Sequence, residues 1–251
     1  MTDEFPIIAG SKNRLCLPLK KHLTNFTVLV EPQETEVYQK AHGDTLQIVT
    51  LQENDRGFGY MLNAMTRTAL ESGHDYFIFC DDDITGFKWR ATMKDALRPL
   101  KEPLTTEVLR VCAKKAQEAG VAQYSLSHTG QSWGAKKMIQ EPCGAWGCTV
   151  NSAEAIKACG WYDEDLFIFN DWEMSARLLS YGFRTCKTNM VSFVHKMKGF
   201  PGGAQSNYEQ TEKVAKAAAA LGKRYGSACK VEYQANHGLW EIRFDWRKLL
   251  P

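Results

Sequence analysis

The stretch YFIFCDDD, residues 76–83, places an unbroken apolar run directly before three aspartates. A short apolar run of this kind predicts a β-strand that is buried on both faces, as in a sheet covered by helices on each side. Ligands of such sheets bind beyond the carboxyl ends of the strands. We therefore expect an α/β fold in which Asp81, Asp82 and Asp83 lie at the ligand-binding edge.

Strand and helix patterns alternate before this stretch. The runs at 26–31 (FTVLVE) and 46–51 (LQIVTL) are apolar and β-branched, which predicts two strands, and a short helix over 34–41 fits between them. Apolar residues recur at helical spacing from Phe58, and Gly73 stands where that helix would end. The alternation predicts a parallel sheet with helices on both faces.

The alternation continues after the aspartates. Asn151 and Glu154 resemble a capping box that opens a helix, and Gly160 closes it. The remaining helices are predicted over 105–119, 171–181 and 207–225, and the remaining strands over 122–126 and 184–195. With 251 residues, the chain suits one large α/β domain.

The composition is that of a globular protein. Hydrophobic residues make up 44% of the chain and charged residues 24%, which excludes a mainly disordered chain. No stretch approaches the roughly 20 apolar residues of a membrane span, and acids near the N-terminus differ from the basic start of a secretory signal. We therefore expect a cytoplasmic protein that does not enter a membrane. The eight scattered cysteines are expected to be free thiols.

Charge is distributed unevenly along the chain. The net charge is only +2, but residues 196–251 hold ten Lys and Arg against five Asp and Glu. This tail also contains tyrosines, tryptophans and phenylalanines, so charge and aromatic stacking could bring it to a polyanion. A solvated helix face together with ordinary core aromatics accounts for the same pattern.

The aspartates are the candidate metal ligands at the predicted ligand-binding edge of the sheet. In an extended segment side chains alternate between faces, so Asp81 and Asp83 are expected to point the same way and Asp82 the opposite way. Two carboxylates suit Mg²⁺ or Mn²⁺, which complete their coordination with water and substrate phosphate oxygens. The alternative is that these acids only solvate a turn after a buried strand.

Segments in a fixed order around the aspartates resemble GT-A glycosyltransferases, particularly family 2-like enzymes. After a first strand at 26–31 they are NDRGFGYMLNAMTRTALESGHDYFIFCDDD (54–83), CGAWGCTVNSAEAIKACGWYDEDLFIFNDWEMSARLLSYGFRT (143–185) and VSFVH (191–195). The resemblance implies a GT-A fold, a Rossmann-like and mostly parallel sheet with helices on both faces. It also implies a nucleotide-binding half over about 26–100, an acceptor half over about 120–195 and a basic C-terminal loop and helix over 196–251.

The resemblance implies roles for individual residues. Asp81 would face the ribose and the metal, Asp83 would ligate the metal, and His195 would turn toward the metal or the diphosphate. Asp171 would be the general base that activates an acceptor hydroxyl in an inverting enzyme, with Glu173 as the second candidate. The alternatives are a structural histidine at a strand end and an acid that caps a helix.

Other residues are candidates for contacts with the nucleotide sugar because they lie at or just past predicted strand ends. Lys196 and Lys198 would neutralise the departing diphosphate as their loop closes. Gly57 and Gly59 would let the backbone come close to the ligand. The remaining candidates are Glu31, Glu53, Asp55, Arg56 and Asp82.

A narrower resemblance concerns the acceptor. The segments EPQETEVYQ (31–39), QENDRGFGYMLNAM (52–65) and FCDDDI (79–84) resemble TET-associated glycosyltransferases of bacteriophages. This implies a UDP-sugar such as UDP-glucose as donor and a 5-hydroxymethylpyrimidine such as 5-hydroxymethylcytosine in DNA as acceptor. The target nucleotide would be extruded from the duplex. Its base could stack on a tryptophan, and the candidates, each also explicable as core, are Trp133, Trp146 and Trp172.

Other functions remain open at this point. A family 2-like enzyme could act on a glycan or another acceptor that is not DNA. Asp81-x-Asp83-x-Thr85 also fits the first motif of haloacid-dehalogenase phosphatases, although two strand units precede it and no later acidic pair for magnesium follows. A nucleotidyltransferase would carry a Gly-rich basic loop after its first strand, where this chain reads EPQETE. A non-catalytic DNA-binding module is the remaining class.

Overall fold

A computed structural model describes residues 5–195, 211–234 and 239–251. Its centre is a large mixed sheet with helices on both faces. A separate pair of antiparallel strands lies near the C-terminus. The expected α/β class with helices on both faces is confirmed.

The first half of the sheet is parallel. Its strands are β1 (Ile7–Gly10), β2 (Thr27–Val30), β3 (Gln47–Thr50) and β4 (Tyr76–Cys80). The helices that connect them are α1 (Thr35–His42) and α2 (Phe58–Glu71), and short 3-10 helices cover Pro18–Lys21 and Pro32–Glu34. β1 pairs in parallel with both β2 and β4, so it lies at the centre of this half.

The position of β1 corrects the expectation that the first strand lies at 26–31. The run IIAG has only four residues, and so short a run shows no periodicity of its own. It becomes a strand because neighbours on both sides provide hydrogen-bond partners.

The second half of the sheet mixes directions. Its strands are β5 (Ile84–Trp89), β6 (Arg98–Leu100), β7 (Val121–His128), β8 (Ile139–Gln140), β9 (Cys148–Ser152) and β10 (Arg184–His195). Its helices are α3 (Leu104–Glu118), α4 (Thr129–Trp133), α5 (Ala153–Ala158) and α6 (Asn170–Ser180). β9 runs antiparallel between β4 and β7, whereas β10 is parallel to β7 and antiparallel to β5. Along its main path the sheet has the strand order β3-β2-β1-β4-β9-β7-β10-β5-β6.

The N-terminus of α5 differs from its prediction. Ser152 caps the helix, because its hydroxyl oxygen accepts a hydrogen bond from the Ala155 N–H at 3.1 Å. Asn151 instead belongs to β9, where its side-chain oxygen accepts from Gln123 at 3.1 Å. Both residue types are good caps, so the sequence alone did not choose between them.

The C-terminal part packs beside α6. It consists of α7 (Thr211–Tyr225), a 3-10 helix (Gly226–Ala228), β11 (Cys229–Gln234), β12 (Leu239–Phe244) and a last 3-10 helix (Trp246–Leu249). The sequence predicted the helix but not the hairpin. One apolar cluster joins α7 and the hairpin to Leu166 and Ile168, which lie just before α6.

The core lies on both faces of the sheet, as the uniformly apolar strands require. β4 contributes Tyr76, Ile78 and Cys80 to the cluster that contains α3, and Phe77 and Phe79 to the cluster that contains α2. This alternation explains why all five residues are buried. The eight cysteines are free thiols, as expected. Among the described residues, no helix is both long and apolar enough to cross a membrane.

Candidate metal and nucleotide-sugar site

The acidic turn joins two strands that run in different directions. β4 ends at Cys80, and the Asp81 N–H donates to the Gly147 carbonyl at 2.7 Å. Asp82 and Asp83 then form a turn rather than the expected extended segment, because the chain must bend into β5 to pair with β10. A Cβ at Gly147 would lie 2.5 Å from the Phe193 ring, so glycine lets this loop approach the strand.

Three side chains converge beside this turn. β5 and β10 pair so that His195 lies opposite Ile84, the residue after Asp83. One ligand atom each from Asp81, Asp83 and His195 lie within 4.8 Å of one another. The His195 Nε2 and the Asp83 Oδ1 are 2.8 Å apart. The structure thus brings together the three residues that the sequence proposed as metal ligands.

The donor set fits a hard divalent cation. The Asp83 Oδ1 is buried and makes no well-aligned hydrogen bond, although the His195 Nε2 lies 2.8 Å from it. The His195 Nδ1 is also buried and has no hydrogen-bond partner among the described residues. Buried polar atoms are rarely left without a partner, and a cation bound between the two carboxylates and the imidazole would satisfy the Asp83 oxygen. Two carboxylate oxygens with one imidazole nitrogen are suitable ligands for Mn²⁺ or Mg²⁺.

Burial and several nearby carboxyl groups raise the pKa of Asp81. Burial raises the pKa of Asp81 well above its usual range, and the nearby charges of Asp83, Asp171 and Asp82 raise it further. Acids that raise each other's pKa in this way repel one another when ionised. A cation bound between them would relieve that repulsion.

Asp82 points away from this group, as expected, but the turn directs it there and not the alternation of an extended segment. Its carboxylate is buried and contacts the Ser11 hydroxyl and the Arg14 guanidinium. Burial raises the pKa of Asp82 to about 6 although Arg14 and Ser11 act to lower it. Arg14 also lies 3.2 Å from the Asp83 Oδ2. Asp82 therefore faces the loop after β1, where Arg14 links it to a proposed metal ligand.

Polar side chains follow the ends of the three other parallel strands. Lys12 follows β1, Glu31 follows β2, and Asp55 lies in the loop after β3. The buried Glu31 carboxylate accepts from the Lys12 ammonium at 2.9 Å and from the Asp55 N–H at 3.1 Å. Lys12 and Arg14 were missed as candidates because β1 was not recognised; the IIAG run before SKNR was the available signal.

Glu53, Arg56 and Gly57 lie in the same loop after β3. The Arg56 guanidinium donates to both carboxylate oxygens of Glu53, at 2.9 and 2.8 Å, and contacts Glu164 at 3.1 Å. Gly57 has a φ of 92°, which favours glycine, and the space where a Cβ would lie is open. A Cβ at Gly59, in contrast, would lie 2.7 Å from the Asp163 carbonyl oxygen, so close packing explains that glycine.

Asp171 lies in the first turn of α6. Its carboxylate accepts from the Trp172 N–H at 2.8 Å. Burial raises the pKa of Asp171 to about 7, although backbone hydrogen bonds act to lower it. The charge of Asp171 also raises the pKa of Asp81. Ser175 holds this turn in place, because its hydroxyl contacts both the Asp171 carbonyl at 2.9 Å and the Gln123 side chain at 2.6 Å.

Glu173 has a different environment. Its side chain is fully buried between α6 and α7, where it pairs with Arg177 and Arg224. The Tyr225 hydroxyl donates to the same carboxylate at 2.8 Å. The structure does not bring Glu173 into the Asp81, Asp83 and His195 group.

The three candidate tryptophans lie in three places. Trp146 is partly buried, and its ring centroid is 6.0 Å from that of His195. Trp172 packs edge to face against Trp246 in the C-terminal part, with centroids 6.2 Å apart. Trp133, at the end of α4, is 72% exposed. Of the three, only Trp146 contacts a proposed metal ligand.

His128 completes this aromatic group and was not singled out from the sequence. It ends β7, and its ring centroid lies 5.5 Å from that of Trp146 and 5.7 Å from that of Phe193. Burial lowers the pKa of His128. Lys196 and Lys198, the proposed contacts of the diphosphate, lie outside the described residues.

Comparison with known proteins identifies a family. A family model described as TET-Associated Glycosyltransferase matches residues 12–202, which begins earlier in the chain than the resemblance at 26–195 suggested. The matched region contains Arg14, the acidic turn, Asp171 and His195. A search of curated proteins finds no match.

Solved structures share the fold at low sequence identity. A mannosyltransferase from Pyrobaculum calidifontis, PcManGT, in complex with GDP-Man and Mn²⁺, has a TM-score of 0.58 at 15% identity, and the match covers 88% of this chain and 64% of that one. Residues 1–349 of S. aureus TarS in complex with UDP-GlcNAc have a TM-score of 0.50 at 14% identity, covering 87% and 66%. The fold is that of GT-A glycosyltransferases. The chain spans slightly less than two thirds of the length of these two structures.

Proposed function

The chain belongs to the TET-associated glycosyltransferase family, and from this premise we propose that it is a metal-dependent enzyme that transfers a sugar from a nucleoside diphosphate to a hydroxyl group on DNA. The single observation that carries the proposal is the convergence of Asp81, Asp83 and His195 at the end of a central strand. That edge is where α/β sheets bind nucleotides.

The donor side of the proposal rests on residues at the strand ends. Asp81, Asp83 and His195 would hold Mn²⁺ or Mg²⁺, which when bound neutralises the diphosphate as it leaves. Lys12, Glu31 and Asp55 offer charged and hydrogen-bonding groups for a nucleoside at the neighbouring strand ends. PcManGT binds GDP-Man with Mn²⁺, and TarS binds UDP-GlcNAc, so UDP- and GDP-sugars are the donors to test first, with UDP-sugars favoured.

Asp171 is the proposed general base. Its charge acts on the pKa of Asp81, and its carboxylate is held in the first turn of α6 by the Trp172 N–H. Burial raises its pKa to about 7, which makes it a stronger proton acceptor than an ordinary aspartate while it still ionises near neutral pH. In the transfer step the acceptor hydroxyl gives its proton to Asp171, its oxygen bonds to the anomeric carbon, and the bond from that carbon to the diphosphate oxygen breaks.

Glu173 is a positioning residue in this proposal. Its carboxylate is already paired with two guanidinium groups in the interface between α6 and α7. The side chain is fully buried and its oxygens already contact Arg177, Arg224 and the Tyr225 hydroxyl, so an acceptor hydroxyl has no access to them. Glu173 would therefore act by holding α6, and Asp171 with it, against the sheet.

The acceptor is proposed to be a 5-hydroxymethylpyrimidine in DNA. The family match supports a nucleic-acid acceptor over a glycan, and a bacteriophage origin would agree with it. Trp146, which contacts His195, is the best-placed aromatic residue to meet an extruded base beside the metal ligands.

The decisive experiment incubates the protein with Mn²⁺ and a panel of UDP- and GDP-sugars. The acceptors are DNA duplexes that contain 5-hydroxymethylcytosine, 5-hydroxymethyluracil or unmodified cytosine, and the products are nucleosides analysed by mass. We expect a hexose-sized mass increase on one hydroxymethylated nucleoside. The increase should disappear with a chelator and in Asp83→Asn, which removes one charged ligand.

Asp44→Asn is the matched control. Asp44 is exposed in the loop after α1, so this variant loses the same charge away from the site and should keep full transfer. Transfer that survives both the chelator and Asp83→Asn would exclude the metal mechanism. If the protein hydrolyses the donor in a metal-dependent way but transfers sugar to none of the DNA duplexes, the proposed metal and nucleotide-sugar site stands and DNA is rejected as the acceptor.

A further inference from the structure

An exposed segment next to the candidate site has an unusual composition. Residues 133–139 (WGAKKMI), here called the Trp–Lys segment, run from the end of α4 to β8. Trp133 is 72% exposed, Met138 55% and Ile139 43%, and both lysines are exposed as well. Between residues 129 and 140 the chain has no acidic residue. Exposed apolar side chains beside lysines often mark an interaction site.

Buried polar groups hold the segment in place. The buried Arg90 guanidinium donates to the Ser132 carbonyl at 2.8 Å and to the Asn189 carbonyl at 2.9 Å. The Asn189 side chain donates to the Lys137 carbonyl at 2.8 Å, and its backbone N–H donates to the Met138 carbonyl at the same distance. The exposed side chains therefore project from a fixed backbone, which reduces the entropy lost when a partner binds.

The charges of the segment are available to a partner. No carboxylate of the described residues lies within ion-pair distance of Lys136 or Lys137. The cations of the C-terminal hairpin differ, because Lys230 pairs with Glu232, and Arg243 pairs with Glu232 and Glu241. A polyanion would thus meet less competition from carboxylates at the Trp–Lys segment than at this hairpin.

The segment is continuous with the candidate site. α4 begins at Thr129, whose hydroxyl donates to the Phe193 carbonyl at 2.9 Å, two residues before His195. The preceding residue, His128, contacts the Trp146 ring, which in turn contacts His195. A long substrate that reaches the proposed metal ligands could therefore continue over α4 onto the exposed segment.

We propose that the Trp–Lys segment is the docking surface for the DNA strand, with Trp133 stacking on a base and Lys136 and Lys137 contacting phosphates. The combination of an exposed aromatic ring with unpaired cations is what single-stranded or locally opened nucleic acid recognises. The proposal rests on the proposed function, because it assumes that the acceptor is DNA. It places the main contact between α4 and β8 and not on the C-terminal hairpin.

The test measures the anisotropy of a fluorescein-labelled DNA duplex that contains 5-hydroxymethylcytosine, over a range of salt concentrations and without donor. Trp133→Ala should weaken binding by about tenfold, in line with the loss of one stacked base. Lys136→Gln/Lys137→Gln should weaken binding and lower the slope of log affinity against log salt by about 1.8, because two phosphate contacts are lost.

Matched variants on the hairpin are the controls. Lys230→Gln/Arg243→Gln removes the same charge, and Tyr233→Ala removes a side chain that is 53% exposed. Both should bind DNA like the wild type. Thermal unfolding of each variant verifies that it is folded. If the hairpin variants lose affinity while the segment variants keep it, the proposal is overturned.

A second probe separates stacking from charge. Heparin fragments carry anionic groups but no bases, so Trp133→Ala should bind them like the wild type, whereas the double lysine variant should bind them more weakly. Equal losses of Trp133→Ala on both probes would exclude the stacking role. Wild-type protein that binds no DNA overturns the docking proposal, whereas DNA binding without sugar transfer overturns only the proposed function.

Discussion

Asp171 carries the sharpest chemical expectation for a single residue. Its buried carboxyl group has a pKa raised to about 7, and the base role requires the ionised form. Activity should therefore rise with pH through the pKa of Asp171, because only the carboxylate accepts a proton from the acceptor. A cation bound near Asp81 favours the ionised form, so the midpoint in the presence of Mn²⁺ should lie below 7.

We predict that Asp171→Asn lowers kcat by roughly 10²- to 10⁴-fold and leaves the KM for the donor nearly unchanged. The amide keeps the size of the side chain but cannot take up the proton. The variant should also lose the rising limb of the profile of kcat/KM against pH. Steady-state kinetics between pH 5 and pH 9 measure both effects, and an unchanged kcat would exclude Asp171 as the base.

The three aspartates of the acidic turn have two different environments. The sequence identified the three aspartates together, but the structure separates them by their partners. Asp81 and Asp83 face His195, whereas Asp82 contacts Ser11 and Arg14. Local alternation predicted the division itself, but it could not indicate the partners, which lie more than 60 positions away in the chain.

At the scale of elements, the contact between α6 and α7 is held by a buried charge cluster. Glu173 is fully buried and pairs with Arg177 from its own helix and Arg224 from α7. Because α6 carries Asp171, this contact links the C-terminal part of the chain to the site. A buried ion pair resists disruption mainly because removing one partner leaves the others uncompensated.

We predict that Glu173→Gln lowers the free energy of unfolding by about 3 kcal/mol or more, since two guanidinium groups lose their carboxylate. Urea denaturation followed by circular dichroism measures the change. Lys157→Gln is the control, because it breaks an exposed pair with Glu154 and should cost at most about 1 kcal/mol. Equal effects of the two substitutions would contradict the account of this helix contact.

Activity of the same variant distinguishes the two roles considered for Glu173. If Glu173 only positions α6, folded Glu173→Gln should keep measurable turnover and the wild-type dependence of activity on pH. Loss of the rising limb of the pH profile in this variant would instead make Glu173 the base.

At the scale of the whole molecule, stability should depend on metal. Asp81, Asp82, Asp83 and Asp171 gather at one edge of the sheet, and their mutual repulsion disfavours the folded state when they are ionised. A cation that binds only the folded protein adds about 2.7 kcal/mol of stability at a hundredfold excess over its Kd.

We therefore predict that saturating Mn²⁺ raises the Tm by about 5 to 10 °C for a chain of this size, as measured by differential scanning calorimetry. Asp83→Asn should abolish most of the shift because it removes a charged ligand, whereas Asp44→Asn should retain it. A shift of wild-type size in Asp83→Asn would show that the cation binds elsewhere.

Much of the architecture could be predicted from local pattern. The runs YFIFC and RTCKTNMVSFVH became β4 and β10 within their predicted bounds, and the apolar stripe from Phe58 became α2. The spacing of apolar residues indicates which side of a segment is buried, so a helix or strand can be predicted without knowing which segments pack against it. The family resemblance rested on the same segments, and the family match confirmed it.

The sequence by itself determined most of the longer elements, the α/β class and the position of the three aspartates at the end of a strand. Only the tertiary structure decided that IIAG is a central strand, that residues 229–234 and 239–244 pair as antiparallel strands, and that His195 meets Asp83. The physical reason is that strand pairing and charge contacts join residues far apart in the chain. The stabilisation from such a contact depends on both partners, so it cannot be predicted from the sequence of either segment alone.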